Sequence, residues 1–150
     1  MKTRITGLFA AAALLCLSTA PATAQDHSRN WDNGHVVQVT NVHIKPGMFN
    51  AYINDLNSLW RKSLEIQKKD GHVIGYGMYA NPNAREGEPD LILTVTYKNW
   101  AAFDLGIEYF EKVSEQLKGS MEAMREASID REDLRSIGTT MTLQEITFAD

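Results

Sequence analysis

Cysteine is all but missing from this 150-residue chain, and the single copy, Cys16, lies near the start. Residues 1–24 read as a cleaved export signal. Lys2 and Arg4 form a basic head, Leu8 to Leu17 (LFAAAALLCL) is an apolar core, and Ala22-Thr23-Ala24 supplies the small residues of a cleavage site. The apolar core is about half the roughly 20 residues a membrane-crossing helix needs, so cleavage rather than anchoring is expected. Leu15, where a lipobox wants a small residue, argues against a lipid on Cys16. The protein left after cleavage has no cysteine. That excludes a disulfide, a thiolate nucleophile and a thiolate-bound metal or haem. The expected location is periplasmic or secreted.

Positive charge is scarce as well. The chain has 15 basic and 19 acidic residues, and losing Lys2 and Arg4 leaves 13 against 19, a balance of −6. No basic run exceeds Arg61-Lys62 or Lys68-Lys69. Neither nucleic acid nor, after signal cleavage, a membrane is an expected partner. Histidine stops at His72, after His27, His35 and His43. None of the four has a partner at the H-x-H or H-x-x-x-H spacing that would start a three- or four-ligand site, so no metal is expected. There is no G-x-S-x-G and no Gly-rich phosphate loop. Gly75-x-Gly77 falls inside a strand pattern, and the acidic pairs Glu86/Glu88 and Asp130/Asp133 fall in loops as solvated charge.

What is present divides into a flexible lead-in, residues 25–34, and one domain, residues 35–150. Residues 35–44 (HVVQVTNVHI) are rich in β-branched side chains and predict a first strand. Lys45-Pro46-Gly47 ends it, because proline gives no ladder donor and glycine permits a tight turn. Phe49, Ile53, Leu56, Trp60 and Leu64 then recur at three- and four-residue steps, the stripe of one helix face, with Gly71 as its stop. Residues 72–80 predict a second strand, with a helix packed close over Gly75 and Gly77. After a loop at 81–89, residues 90–97 (DLILTVTY) predict a third strand. Asn99 is placed to cap a second helix marked by Trp100, Phe103, Ile107, Phe110, Val113 and Leu117, which Met121 and Met124 extend. Residues 128–136 read as charged and irregular, and 138–148 as a fourth strand.

The order β-α-β-β-α-β predicts an α+β, ferredoxin-like fold: a four-stranded antiparallel sheet with two helices on one face. The other face is then bare. With Ile74, Tyr76, Met78 and Val42 placed on it, its apolar area calls for a homodimer through the sheet faces.

This element order, the KPG junction at 45–47 and the strand-Asn99-Trp100-x-x-Phe103 passage resemble the dimeric α/β-barrel superfamily, over roughly residues 36–148. Antibiotic-biosynthesis monooxygenase-like, EthD-like and NIPSNAP-like proteins belong there. The resemblance implies several chemistries. Haem degraders of the superfamily carry a tryptophan near the start of the second helix, which Trp100 matches. They follow it by about ten residues with a haem-ligating histidine, where this chain has Glu108-Tyr109-Phe110-Glu111, and their first-strand asparagine aligns nearer Thr40 than Asn41. No cofactor is called for on these residues, with a haem on His43 or His72 left open. Cofactor-independent oxygenation or isomerisation of an aromatic needs only a dry pocket, a base and orienting donors. His43 and His72 are the candidate bases, and Tyr76, Tyr97 and Trp100 the candidate ligand-binding aromatics. Three readings follow: a binding protein for a small apolar or aromatic ligand, a cofactor-independent monooxygenase or isomerase, and a protein-interaction module with a filled barrel.

Overall fold

The computed structural model describes residues 29–149. The expected export signal, residues 1–24, lies outside them. Four strands, β1 (Trp31–Ile44), β2 (Val73–Ala80), β3 (Leu91–Tyr97) and β4 (Arg135–Phe148), form one sheet in the order β2-β3-β1-β4, every neighbour antiparallel. Two helical arms, 49–69 and 100–133, supply the connections between β1 and β2 and between β3 and β4. This is the ferredoxin-like topology expected from the element order.

β1 begins at Trp31, four residues before the expected start. Trp31, Asp32 and Asn33 pair with Phe148, Thr147 and Ile146, so the far end of β4 gives ladder partners to a polar stretch of low strand propensity. The register slips between Asn33 and Val36, where the carboxylate of Glu145 fills the space a Cβ on Gly34 would need. At the other end Gly47, at φ +79°, makes the turn that Pro46-Gly47 predicts.

The first arm runs as α1 (Phe49–Asp55), a π-helical turn (Leu56–Trp60) and α2 (Arg61–Lys69), with helical dihedrals through both joints. Its buried residues are Tyr52, Leu56, Leu59 and Leu64. The five-residue step from Leu59 to Leu64 is the extra residue of the π turn, which rotates the buried face. Phe49, expected on the stripe, is 43% exposed at the first residue of α1, and Tyr52 is buried one turn on. The core lies between this arm and the sheet in two clusters. One joins Val42, Tyr52, Leu56, Leu91 and Leu93, the other Leu64, Val73 and Val95, and Trp60 packs against both.

The second arm departs further from expectation. Asn99 does cap, its side chain accepting from the Ala101 N–H at 3.0 Å, but what it caps is a short 3₁₀ turn (Trp100–Phe103). Two helices follow in place of one: α3 (Ile107–Lys118) and α4 (Met121–Asp130). Gly119 at φ +84° ends α3, and the Ser120 hydroxyl accepts from the Ala123 N–H to start α4 at once. The segment read as irregular, 128–136, completes α4, makes a 3₁₀ turn (Arg131–Asp133) and enters β4.

The two faces of the sheet need a correction. Val42 is fully buried beneath α1, and Tyr76 and Met78 register with Val95 and Leu93 on the helix-covered face, so none of the three is on the bare side. The register slips between Val73 and Gly75, which upsets simple alternation at Ile74. Gly75 and Gly77 have no helix over them. A Cβ on Gly75 would meet nothing within 4 Å, and the ring of Tyr79 lies across Gly77. The bare face is apolar along its β1–β4 seam, through other residues, while Thr94 and Thr96 of β3 share it with Gly75 and Gly77 of β2. Val37 stands opposite Leu143 and Val39 opposite Met141, with Ile92 and Tyr79 on the neighbouring strands. Polar contacts mark its two ends: Asn41 donates to Thr139 Oγ1 at 2.8 Å, and His35 meets Glu145 at 3.1 Å.

Candidate functional site

Among the described residues, two of the clefts on the helix-covered side meet at Trp60 of the first arm. The inner cleft, about 250 Å³, lies between α2, α4 and strands β1 and β3. Leu59, Leu64, Val95 and Met124 wall it, with the rings of Trp60 and Tyr97. Its polar groups are Gln38, Ser63, Gln67 and Arg131. Even spacing along β1 sends Gln38 to the same face as Val36 and Val42, so a polar side chain sits inside an apolar ladder. Gln67 donates to Ser63 Oγ at 3.2 Å across one helical turn. Burial pushes the Tyr97 hydroxyl above its ordinary pKa, which keeps it a neutral donor. Carboxylates and imidazoles are not among the lining residues.

Arg131 is held at the cleft by Asp55, with Nε to Oδ2 at 2.5 Å and both side chains more than four-fifths buried. The contact is an ion pair off the hydrogen-bond direction, since neither atom has an aligned partner. The Arg135 guanidinium acts on the buried Tyr52 hydroxyl beside it. Burial raises the Tyr52 pKa, and the two guanidiniums act the other way.

The outer cleft, about 440 Å³, opens where the first arm overhangs the sheet edge at β2. Ile53, Leu56, Trp60, Tyr76 and Met78 give it apolar walls, and Asn54, Asn57 and Arg61 sit at its rim. Arg61 donates to Asn57 Oδ1 at 2.9 Å, and the Tyr76 hydroxyl donates to Glu65 at 2.5 Å. The Glu65 bond raises the Tyr76 pKa, with a weaker opposing pull from Arg61. The larger hollow of about 560 Å³ beside Lys45 has one apolar side chain, Ile137, and sets Lys45 and Arg135 against Glu132. It lacks the walls of a ligand site.

The expected site residues are dispersed. Tyr97 lines the inner cleft and Tyr76 the outer one. Trp100 reaches neither: its Nε1 donates to Gln144 at 2.7 Å, seating the 3₁₀ turn on β4, and the residue is 52% exposed. His43 and His72 do not converge. Val73 stands level with Tyr97 and Val36, seven residues along β1 from His43, so about 23 Å at 3.3 Å per residue separates the two ends. His43 pairs opposite Ser136, next to Gly138, and His72 packs edge-on against Tyr109 with centroids 5.1 Å apart. His72 borders a hollow of about 260 Å³ whose other side chains are Asp70, Lys98, Asn99 and two alanines, Ala101 and Ala102, without the large apolar walls a porphyrin needs, and His43 lines none of the clefts described, so the residues present do not fit a haem site at either. Asn41 lies on the bare face, bonded to Thr139, also away from both clefts. Among the described residues no three His, Cys, Asp or Glu side chains gather as a metal site. Gln38, Gln67 and Arg131 were not singled out by sequence. Only the polar break at Gln38 in a valine-rich strand carried a signal.

No protein-family model matches the chain, and no curated protein matches it. Among solved structures, protein SO0527 from Shewanella oneidensis superposes with a TM-score of 0.50 at 17% identity, covering 77% of this chain and 97% of that one. HapK from Hahella chejuensis gives 0.50 at 6% identity over 73% and 91% of the two chains. A dimeric ferredoxin-like protein from an uncultured marine organism is a looser match, 0.46 at 6% identity over 79% and 91%. At such identities the likeness is one of fold. The chain has the ferredoxin-like fold, which the element order, the KPG junction and the Asn99-Trp100-x-x-Phe103 passage implied.

Proposed function

We propose that this chain is an exported protein that binds a small aromatic molecule bearing acceptor oxygens and that works as a homodimer joined sheet face to sheet face. The inner cleft carries the reading. Its rings and aliphatic walls suit a planar apolar body, and Gln38, Ser63, Gln67, Tyr97 and Arg131 offer donors that suit oxygen atoms on its rim. The homodimer is supported by a bare face whose apolar pairs Val37–Leu143 and Val39–Met141 lie between polar ends, the centre-and-rim anatomy of an interface. The character of residues 1–24 supports export.

The competing reading is cofactor-independent oxygenation or isomerisation, which needs a proton acceptor beside the ring. The inner cleft's lining offers donors and a cation in that place, which favours binding. The two clefts weigh against an interior packed solid. Calorimetric titration with 4-nitrophenol tests the reading. Saturable binding is expected, weakened about tenfold by Gln38→Leu, the loss of one polar contact. A titration flat to millimolar concentration would overturn it.

A further inference from the structure

We infer that Trp60 sets the length of ligand the inner cleft accepts by closing it off from the outer cleft, the space that a second, apolar ring would enter if the indole were absent. The inference rests on the binding proposed for the inner cleft and extends it to a class of ligand. Trp60 is the one lining residue that the two clefts share. It stands at the end of the π turn, where the added residue offsets the helix faces, and it packs against both core clusters. Tyr76 holds the indole edge-on from the outer side, with centroids 5.3 Å apart and planes at 78°. The indole is thus held where the two clefts meet, by Tyr76 and by the two core clusters.

The chemistry of the two hollows differs across it. On the inner side Gln38, Gln67 and Arg131 face the space, so an oxygen-bearing ring belongs there. On the outer side Ile53, Leu56 and Met78 form the walls, and Arg61 is already engaged by Asn57. A ring without polar atoms belongs in that half. With the indole in place the inner cleft takes one ring. With it removed, the volume it held joins the two hollows into one site long enough for two linked rings.

Calorimetry with 4-nitrophenol and 4-hydroxybiphenyl on the wild-type chain, Trp60→Ala and Trp60→Phe tests this. Trp60→Ala should bind 4-hydroxybiphenyl at least about tenfold more tightly than wild type does, with no gain for 4-nitrophenol, and Trp60→Phe should fall between. Adding Met78→Trp to Trp60→Ala refills the outer hollow and should cancel the gain. An unchanged ratio of the two affinities in both Trp60 variants overturns the inference, and a gain that survives Met78→Trp overturns the outer cleft as the space the second ring enters. If circular dichroism shows that Trp60→Ala does not fold, Trp60→Phe carries the comparison with the same sign. Failure of 4-nitrophenol to bind even the wild-type chain would instead remove the inner-cleft reading beneath it.

Discussion

Replacing Asp55 with asparagine strips the charge from the partner of Arg131 while keeping the side chain's shape. In the native chain the two side chains are 19% and 16% exposed, so the pair is largely out of water. The substitution leaves the Arg131 and Arg135 guanidiniums, both of which act on the Tyr52 hydroxyl, without the Asp55 charge that opposes them there. Deleting one partner of a fully buried pair costs about 3–5 kcal/mol. Here the residual exposure and the acceptor that asparagine keeps reduce that to roughly 2 kcal/mol. With a urea slope of about 2 kcal/mol per molar, the unfolding midpoint should fall by about 1 M. A second variant separates charge from shape. Asp55→Leu with Arg131→Met removes both charges and should recover most of the loss. Equilibrium urea unfolding followed by circular dichroism reads both. A midpoint shift under about 0.2 M for Asp55→Asn, or a double variant worse than the single one, would refute the claim that this ion pair holds α1 to the start of β4.

Three further outcomes follow from particular residues. Leu143→Asp places a carboxylate at a position 48% exposed on the bare sheet face. It loses about 1 kcal/mol of apolar burial per copy and adds charge desolvation, doubled by twofold symmetry. Sedimentation should show dimerisation weakened at least about a thousandfold. Gly119→Ala forces a side chain to φ +84° between α3 and α4 and should cost about 1 kcal/mol, seen as a lowered thermal midpoint. The Tyr109 hydroxyl, pushed up to about 12 by burial and by its bond to Asp70, should ionise last in an ultraviolet titration. A raised acid pKa stabilises the fold below the unfolded value near 10, and that contribution is lost as pH climbs from about 10 to 12. Asp70→Asn should lower the Tyr109 value partway, because burial, the larger cause, remains.

The sequence announced the topology because its punctuation is local. Lys45-Pro46-Gly47 ends a strand and turns it, Asn99 caps, and the valine-rich runs alternate, each within a few residues. What it concealed arises from the addition or loss of a single residue. The apolar spacing of the first arm foretold Leu56 and Leu64 in the core, but the π turn at 56–60 adds Leu59 to the buried face between them, which a regular α-helical period does not show. The slip between Val73 and Gly75 hid which way Tyr76 and Met78 point, since both the helix side and the bare side accept apolar residues. The stop at Gly119 is hidden because Met121 and Met124 continue the helical period of the residues before it. The cleft donors were hidden for another reason. Gln38 on β1, Gln67 on α2 and Arg131 near β4 share no motif, and only the fold brings them together.

The account assigns one job to each face of the sheet, a ligand under the helices and a second copy on the bare side. Native mass spectrometry of the protein purified from its own host reads both at once. A two-chain mass carrying a discrete small molecule on each chain is the predicted result. A single-chain mass with nothing attached, at micromolar concentration, would contradict it.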